Sequence, residues 1–242
     1  MNARMAAAGI LAVAVVGCAG RTRVPDEDRS RLERELPGRT FYLRHAMYLG
    51  EFWSDPHKAF LSDGVPGEIP FLADAEGQPI DPGPARQIVP VGTRVRVVRL
   101  ELPTSWTVTT RGPLTPRYHP WLLLEVAGLP ERPTPTMVLR PDLKSAAEVQ
   151  EELDRYLSRE DPAPVLAAMP PEVVRAIQEK RLVEGMTADA VAMAWGYPER
   201  KTLRPTPAGR REEWTWPGAR RTATIVEGKG LTEWKGQGAP IP

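Results

Sequence analysis

Few residues in this chain are of a type and spacing that chemistry would need. Cys18 is the only thiol among 242 residues, and it closes the run Val15-Val16-Gly17-Cys18. The three histidines stand apart: His45 in an alternating apolar stretch, His57 two places after Asp55, and His119 beside Pro120 and Trp121. A zinc site needs its ligands gathered at short, paired spacings. Nothing of that kind surrounds these histidines, and Asp55 with His57 reads as a loop turn. A Gly-x-Ser-x-Gly elbow, a phosphate loop and a His-Glu-x-x-His pair are all absent from the sequence. Gly228-Lys229-Gly230 has the make-up of a phosphate contact, but a hairpin turn accounts for it. The expectation is a non-enzymatic protein with no catalytic residue, no metal and no cofactor.

Cys18 sits in a telling place. Arg4 is the only charge before it, and Met5 to Val16 carries none. A positive start, an apolar run of about a dozen residues and a small residue before the cut describe a secretory leader, here residues 1–17. The run is too short to cross a bilayer, which takes about 20 apolar residues. The last four residues resemble the lipobox of bacterial lipoproteins. That resemblance implies cleavage after Gly17, a diacylglycerol on the Cys18 sulfur and an acyl chain such as palmitate on its new amino group. Each buried methylene contributes about 0.8 kcal/mol, so several chains hold a folded body on a membrane almost permanently. No later apolar run would span one. By the sorting rules of enteric lipoproteins, Ala19 after the cysteine implies the outer membrane, with the body facing the periplasm.

Composition narrows the partners. Lys and Arg number 32 and Asp and Glu 31, a balance that leaves no footprint for nucleic acid. With Cys18 modified there is no disulfide to form. Proline is abundant, 27 residues. It breaks helices and cannot donate to a sheet ladder, so short elements and stiff loops are expected.

The elements that must position any site follow from periodicity. Residues 18–37 hold only Val24, Leu32 and Leu36 as large apolar residues beyond the cysteine and read as a flexible, lipidated tether. Residues 38–142 alternate like strands: Thr40 to Leu49, then Ile88 to Leu102 with a break of phase at Val97-Val98 that predicts a bulge. Trp106 to Thr110, Trp121 to Val126 and Thr136 to Leu139 complete a β-rich unit, expected as a small barrel or sandwich. Ser145-Ala146-Ala147-Glu148 is a capping box opening a helix over 146–158, followed by a Pro-rich linker to 168. In 169–236, Pro170-Pro171 starts one helix that runs to Val183. Thr187 caps a second, Ala188 to Trp195, which Gly196 stops. Four hairpin strands follow, then a tail over 237–242. The whole is α+β. Trp195, Trp214, Trp216 and Trp234 fit the core of the last unit. Trp53, Trp106 and Trp121 are the candidate binding aromatics of the β-rich unit.

The last unit resembles the SmpA/OmlA, or BamE-like, domain of small outer-membrane lipoproteins. The matching residues are Val183-Glu184-Gly185-Met186-Thr187, Trp195-Gly196-Tyr197-Pro198, Arg211 to Gly218 and Glu227-Gly228-Lys229-Gly230-Leu231. The resemblance implies two helices on an antiparallel sheet and a non-catalytic, scaffolding role in assembly of outer-membrane barrels or envelope integrity. Its partners would be envelope proteins such as the barrel-assembly machinery. Two features depart from the family: the long stretch before this unit, and Trp195 where a Leu is usual. The rival reading is a peptidoglycan- or peptide-binding lipoprotein whose β-rich unit is the binding module.

Overall fold

The computed structural model describes residues 22–72, 78, 80–207, 209–217, 220–239 and 241. The leader, Gly17 and Cys18 lie outside them. The chain runs α1 (Asp26–Glu35), β1 (Thr40–Leu43), β2 (Met47–Glu51), β3 (Lys58–Ser62), β4 (Ala85–Val89), β5 (Arg94–Glu101) and α2 (Ser105–Thr110). It continues as β6 (Trp121–Val126), β7 (Thr134–Val138), α3 (Ala146–Tyr156), β8 (Leu157–Ser158), α4 (Ala163–Ala167), α5 (Pro171–Gln178) and α6 (Ala188–Trp195). The last four strands are β9 (Arg200–Thr206), β10 (Gly209–Thr215), β11 (Thr222–Val226) and β12 (Gly230–Lys235). The class is α+β, as the sequence implies. Among the described residues no helix is long and apolar enough to cross a membrane.

The expected small barrel or sandwich is instead one mixed sheet of eight strands, in the order β4-β2-β3-β7-β6-β5-β1-β8. Only β3 and β7 run parallel. The sheet curls because two corners join distant strands. β1 turns directly into β2, and β4 reaches β5 through residues 90–93, where the Gly92 amide donates to the Leu43 carbonyl at 2.8 Å. The curl stops short of closure, since β4 and β8 remain its two edges. The predicted bulge is present: β5 slips against β6 between Val97 and Arg99, leaving Val98 exposed after the buried Val97 and before the buried Leu100.

Three local expectations are corrected. Thr40 to Leu49 is not one strand. Arg44 and Ala46 turn their amides to the carbonyls of Tyr156 and Met193, so the strand breaks at a corner that serves the helices. Trp106 to Thr110 is the helix α2, because Thr104 and Thr107 cap each other reciprocally and start a turn there. Residues 18–37 are not all tether. Leu32 and Leu36, one helical turn apart, seat α1 with Val24 in the same core as Val95, Val97, Val149 and Leu153. Asp26, Glu27 and Asp28 favour the helix start. The Asp28 carboxylate also accepts the Ala146 amide at the start of α3.

The second sheet is a plain antiparallel meander, β12-β11-β10-β9. Its inner face carries Trp214, Ala223, Ile225 and Leu231, which α5 and α6 cover with Val173, Ala176, Ile177, Ala190, Val191 and Ala194. α5 ends at Gln178, short of the expected Val183, because Lys180 takes a left-handed backbone (φ 52) and turns inward. Trp234 does not join this core. It lies on the edge strand β12 and stays partly exposed. The segment 237–242 is more than a tail, since the Ala239 amide donates to the Tyr48 hydroxyl at 2.8 Å and straps the chain end onto β2.

Leu36→Ala tests the docking of α1. Removing a buried leucine side chain costs about 3 kcal/mol, to be read as a lower urea midpoint at unchanged slope. A free tether would leave the midpoint where it was.

Candidate functional site, the cleft between the two sheets

Where the two sheets meet, a cleft of about 350 Å³ opens. Five separate segments line it: the loop after β3 (Asp63, Glu68, Phe71), the residues after β7 (Arg140), the end of α3 (Arg155, Tyr156), the end of α6 (Trp195, Tyr197, Glu199) and the β10–β11 connection (Trp216, Arg221).

Its base is a polar tie. Lys180 is buried, and its ammonium donates to the carbonyl oxygens of Ala46 at 2.6 Å, Asp63 at 3.0 Å and Ala194 at 2.9 Å. Three acceptors use all three N–H bonds of the charged form, whereas a neutral amine has only two to give. Burial brings the Lys180 pKa down to about 7; Asp63 opposes this and Arg221 adds to it. Beside it His45 closes the same seam. Its Nδ1 lies 2.7 Å from the Ala192 oxygen and its Nε2 2.7 Å from the Arg155 oxygen. Burial lowers the His45 pKa, while Asp63 and the two carbonyls favour the charged ring. Gly196 is required at this seam: with φ 78, a Cβ there would fall inside the Asp63 carboxylate.

The wall is aromatic and rigid. Trp195 and Trp216 meet edge to face with centroids 5.1 Å apart. Their indole N–H groups donate to the Lys180 and Gly196 carbonyls at 3.0 and 3.2 Å. Against these rings lies Arg221, 3% exposed, its guanidinium carbon 5.3 Å from the Trp195 centroid and 5.7 Å from that of Trp216. Its nearest counter-charge is Glu68, whose Oε2 is 3.6 Å from Nε, too far for a hydrogen bond. Among the described residues, Arg221 Nε and Nη1 and Glu68 Oε2 have no hydrogen-bond partner. A buried polar group without a partner costs free energy, more so when it is charged. Such a pair is suited to grip a ligand that both accepts and donates. Burial lowers the Arg221 pKa, and Glu68 is the first of the groups that oppose it.

The residues singled out in the sequence fall elsewhere. Trp121 is core: its indole donates to Pro116, and the Arg111 guanidinium carbon lies 3.6 Å from its ring centroid. Trp53 meets Phe52 and Phe60 edge to face beside a second pocket of about 430 Å³. Trp106 stands out from α2. The three do not form one groove. Asp55 accepts from Lys58 at 2.6 Å and from the His57 amide at 3.0 Å, so it braces a turn. Burial raises its pKa, and these two partners more than reverse that. The His119 Nδ1–H donates to the Leu139 carbonyl at 3.1 Å. Among the described residues no three His, Cys, Asp or Glu side chains form a metal-binding group.

The sequence reading missed Arg221 and Glu68. Their one signal was an arginine beside a strand start, which by itself says nothing. The chain matches no protein-family model, no curated protein and no solved structure.

His119 gives the pH test of this region. Burial holds its pKa down at about 4, helped by Arg111 and opposed by Leu139. The unfolded chain takes up that proton near pH 6.5 and the folded chain only near 4, so stability rises with pH across this window. His119→Asn keeps a donor for Leu139, and it should flatten the loss of thermal stability between pH 6.5 and 4 relative to the native chain.

Proposed function

We propose that this is a lipid-anchored envelope protein that works by docking, with no chemistry of its own, and that the cleft between the sheets is where it holds its partner. The observation that carries this reading is Arg221, buried against Trp195 and Trp216 beside Glu68, with two nitrogens that have no hydrogen-bond partner among the described residues. Guanidinium groups bind carboxylates and carbonyls through several donors at once, and buried Arg and Trp commonly anchor protein interfaces. The fitting occupant is a protruding segment of a protein that offers a carboxylate to Arg221 and a donor to Glu68. The described lining residues, arginines, carboxylates, aromatics and prolines, suit binding.

The place of action in this proposal is the periplasmic side of the outer membrane, reached through acyl chains on Cys18. The leader and the Val-Val-Gly-Cys run support it. The order of α5, α6 and a four-stranded meander supports the SmpA/OmlA-like reading of 169–236, and with it a partner in the barrel-assembly machinery. Confinement to a membrane plane raises effective concentration, so a modest cleft suffices. A second reading, peptidoglycan or peptide binding by the β-rich unit, draws on the pocket at Trp53, whose indole nitrogen has no partner among the described residues.

A photo-crosslinker at Tyr197, on the cleft lining, separates the two in intact cells. The expected result is a crosslink to a barrel-assembly subunit that Arg221→Gln weakens at least tenfold. Retention of the purified protein on peptidoglycan, lost on Trp53→Ala and indifferent to Arg221→Gln, would favour the second reading.

A further inference from the structure

The described chain begins beside the most exposed apolar residues it has. The Thr22 amide donates to the Pro103 carbonyl at 2.7 Å, which pins the first described residue at the entry to α2. Trp106 on α2 is 75% exposed and Leu114 in the loop behind it 70%, the two highest values among the exposed large hydrophobic residues described. Burying Trp106 in the fold would have been simple, yet α2 buries no residue at all.

From these facts we infer that the segment 103–114 is a second membrane contact, which seats Trp106 and Leu114 in the interface of the bilayer that holds the acyl chains. The inference rests on the reading of Cys18 as the lipid-bearing residue. Thr22 is four residue steps from Cys18, and a chain of that length spans at most about 14 Å. Whatever path those residues take, Pro103 and the start of α2 stay within that reach of the lipid. Tryptophan favours the interface because its ring is apolar and its N–H polar, and leucine adds apolar area.

The local chemistry agrees. Between Glu101 and Glu125 the sequence has no acidic residue; Arg111 and His119 within it are buried, Arg117 is half-buried, and the exposed Arg23 lies beside Thr22. An anionic lipid surface would meet no carboxylate from this segment. The threonines of α2 spend their hydroxyls on the helix itself: Thr109 donates to the Ser105 carbonyl at 2.7 Å, and Thr110 to that of Trp106 at 3.2 Å. These hydroxyls are therefore bonded within the helix, which lowers the cost of taking them out of water. The exposed carboxylates Asp26 and Glu27 open α1, whose Asp28 accepts the Ala146 amide at the start of α3.

The test uses the native full-length lipoprotein in vesicles of phosphatidylethanolamine and phosphatidylglycerol brominated at shallow acyl positions. Bromine quenches only tryptophans that touch the lipid. The expected result is quenching of part of the emission, at least half of which disappears in Trp106→Phe and is reduced in Leu114→Asp. Both variants should keep the native urea midpoint, because α2 buries nothing. Quenching that is absent, or equal in native protein and Trp106→Phe, while the protein still floats with the vesicles overturns the inference and leaves the anchor standing. Shielding of Trp106 only on addition of a second envelope protein overturns it too. A protein that does not float, and whose N-terminal peptide carries no acyl mass, sinks the anchor and this inference together.

Discussion

The Lys180 ammonium lies between two sheets that would otherwise have little reason to stay in register. Its three acceptors come from three places: the corner between β1 and β2, the end of β3, and the last turn of α6. None of these carbonyls belongs to a strand ladder at that point, and Ala194 lies at a helix end where carbonyls lack helical partners. A lysine suits the position because a flexible stem can bring three donors to one point. Desolvating the charge is costly, and only full satisfaction of the donors offsets it. The left-handed backbone at Lys180 and the early end of α5 follow from aiming the side chain inward.

The rest of the seam follows the same logic. His45 links the β1–β2 corner to α3 and α6, and Tyr48 accepts from the chain end through Ala239. An apolar seam of this size could slide, since dispersion is indifferent to small shifts. Directional bonds at 2.6–3.0 Å fix the angle between the sheets. The cleft inherits that angle, because Asp63 is held from one side by Lys180 and Trp195 from the other by the Lys180 carbonyl. Arg221 and Glu68 therefore face each other across a fixed gap, from opposite units.

Local signals in the sequence carried well where structure is local. Thr187 and Gly196 bound α6 because a cap and a left-handed stop are decided within one turn. Ser145 starts α3 for the same reason. The bulge at Val97-Val98 was visible as a lost alternation. The α1 segment was not, because two leucines a turn apart look too few to dock until the facing surface of β5 and α3 is known. Strand order was beyond reach for a similar reason: the parallel pairing of β3 with β7 joins residues 76 places apart, as Lys58 with Thr134. The cleft draws on five segments, so no spacing within the sequence announces it.

Docking of α1 changes how the proposed anchor would act on the cleft. A flexible leash of about twenty residues lets a body wander some 25 Å and tumble freely. With Val24, Leu32 and Leu36 in the core and Thr22 bonded to Pro103, the described chain is tied to the fold from Thr22 onward. A body held that closely cannot turn every face to the membrane. Under the proposed anchor, the face that includes α2 would be kept next to the lipid, and the seam at Lys180 would carry that restriction to the second sheet. A lipid anchor would thus set the orientation of the cleft as well as its distance from the membrane, and it can do so only because the seam is polar, directional and fully bonded.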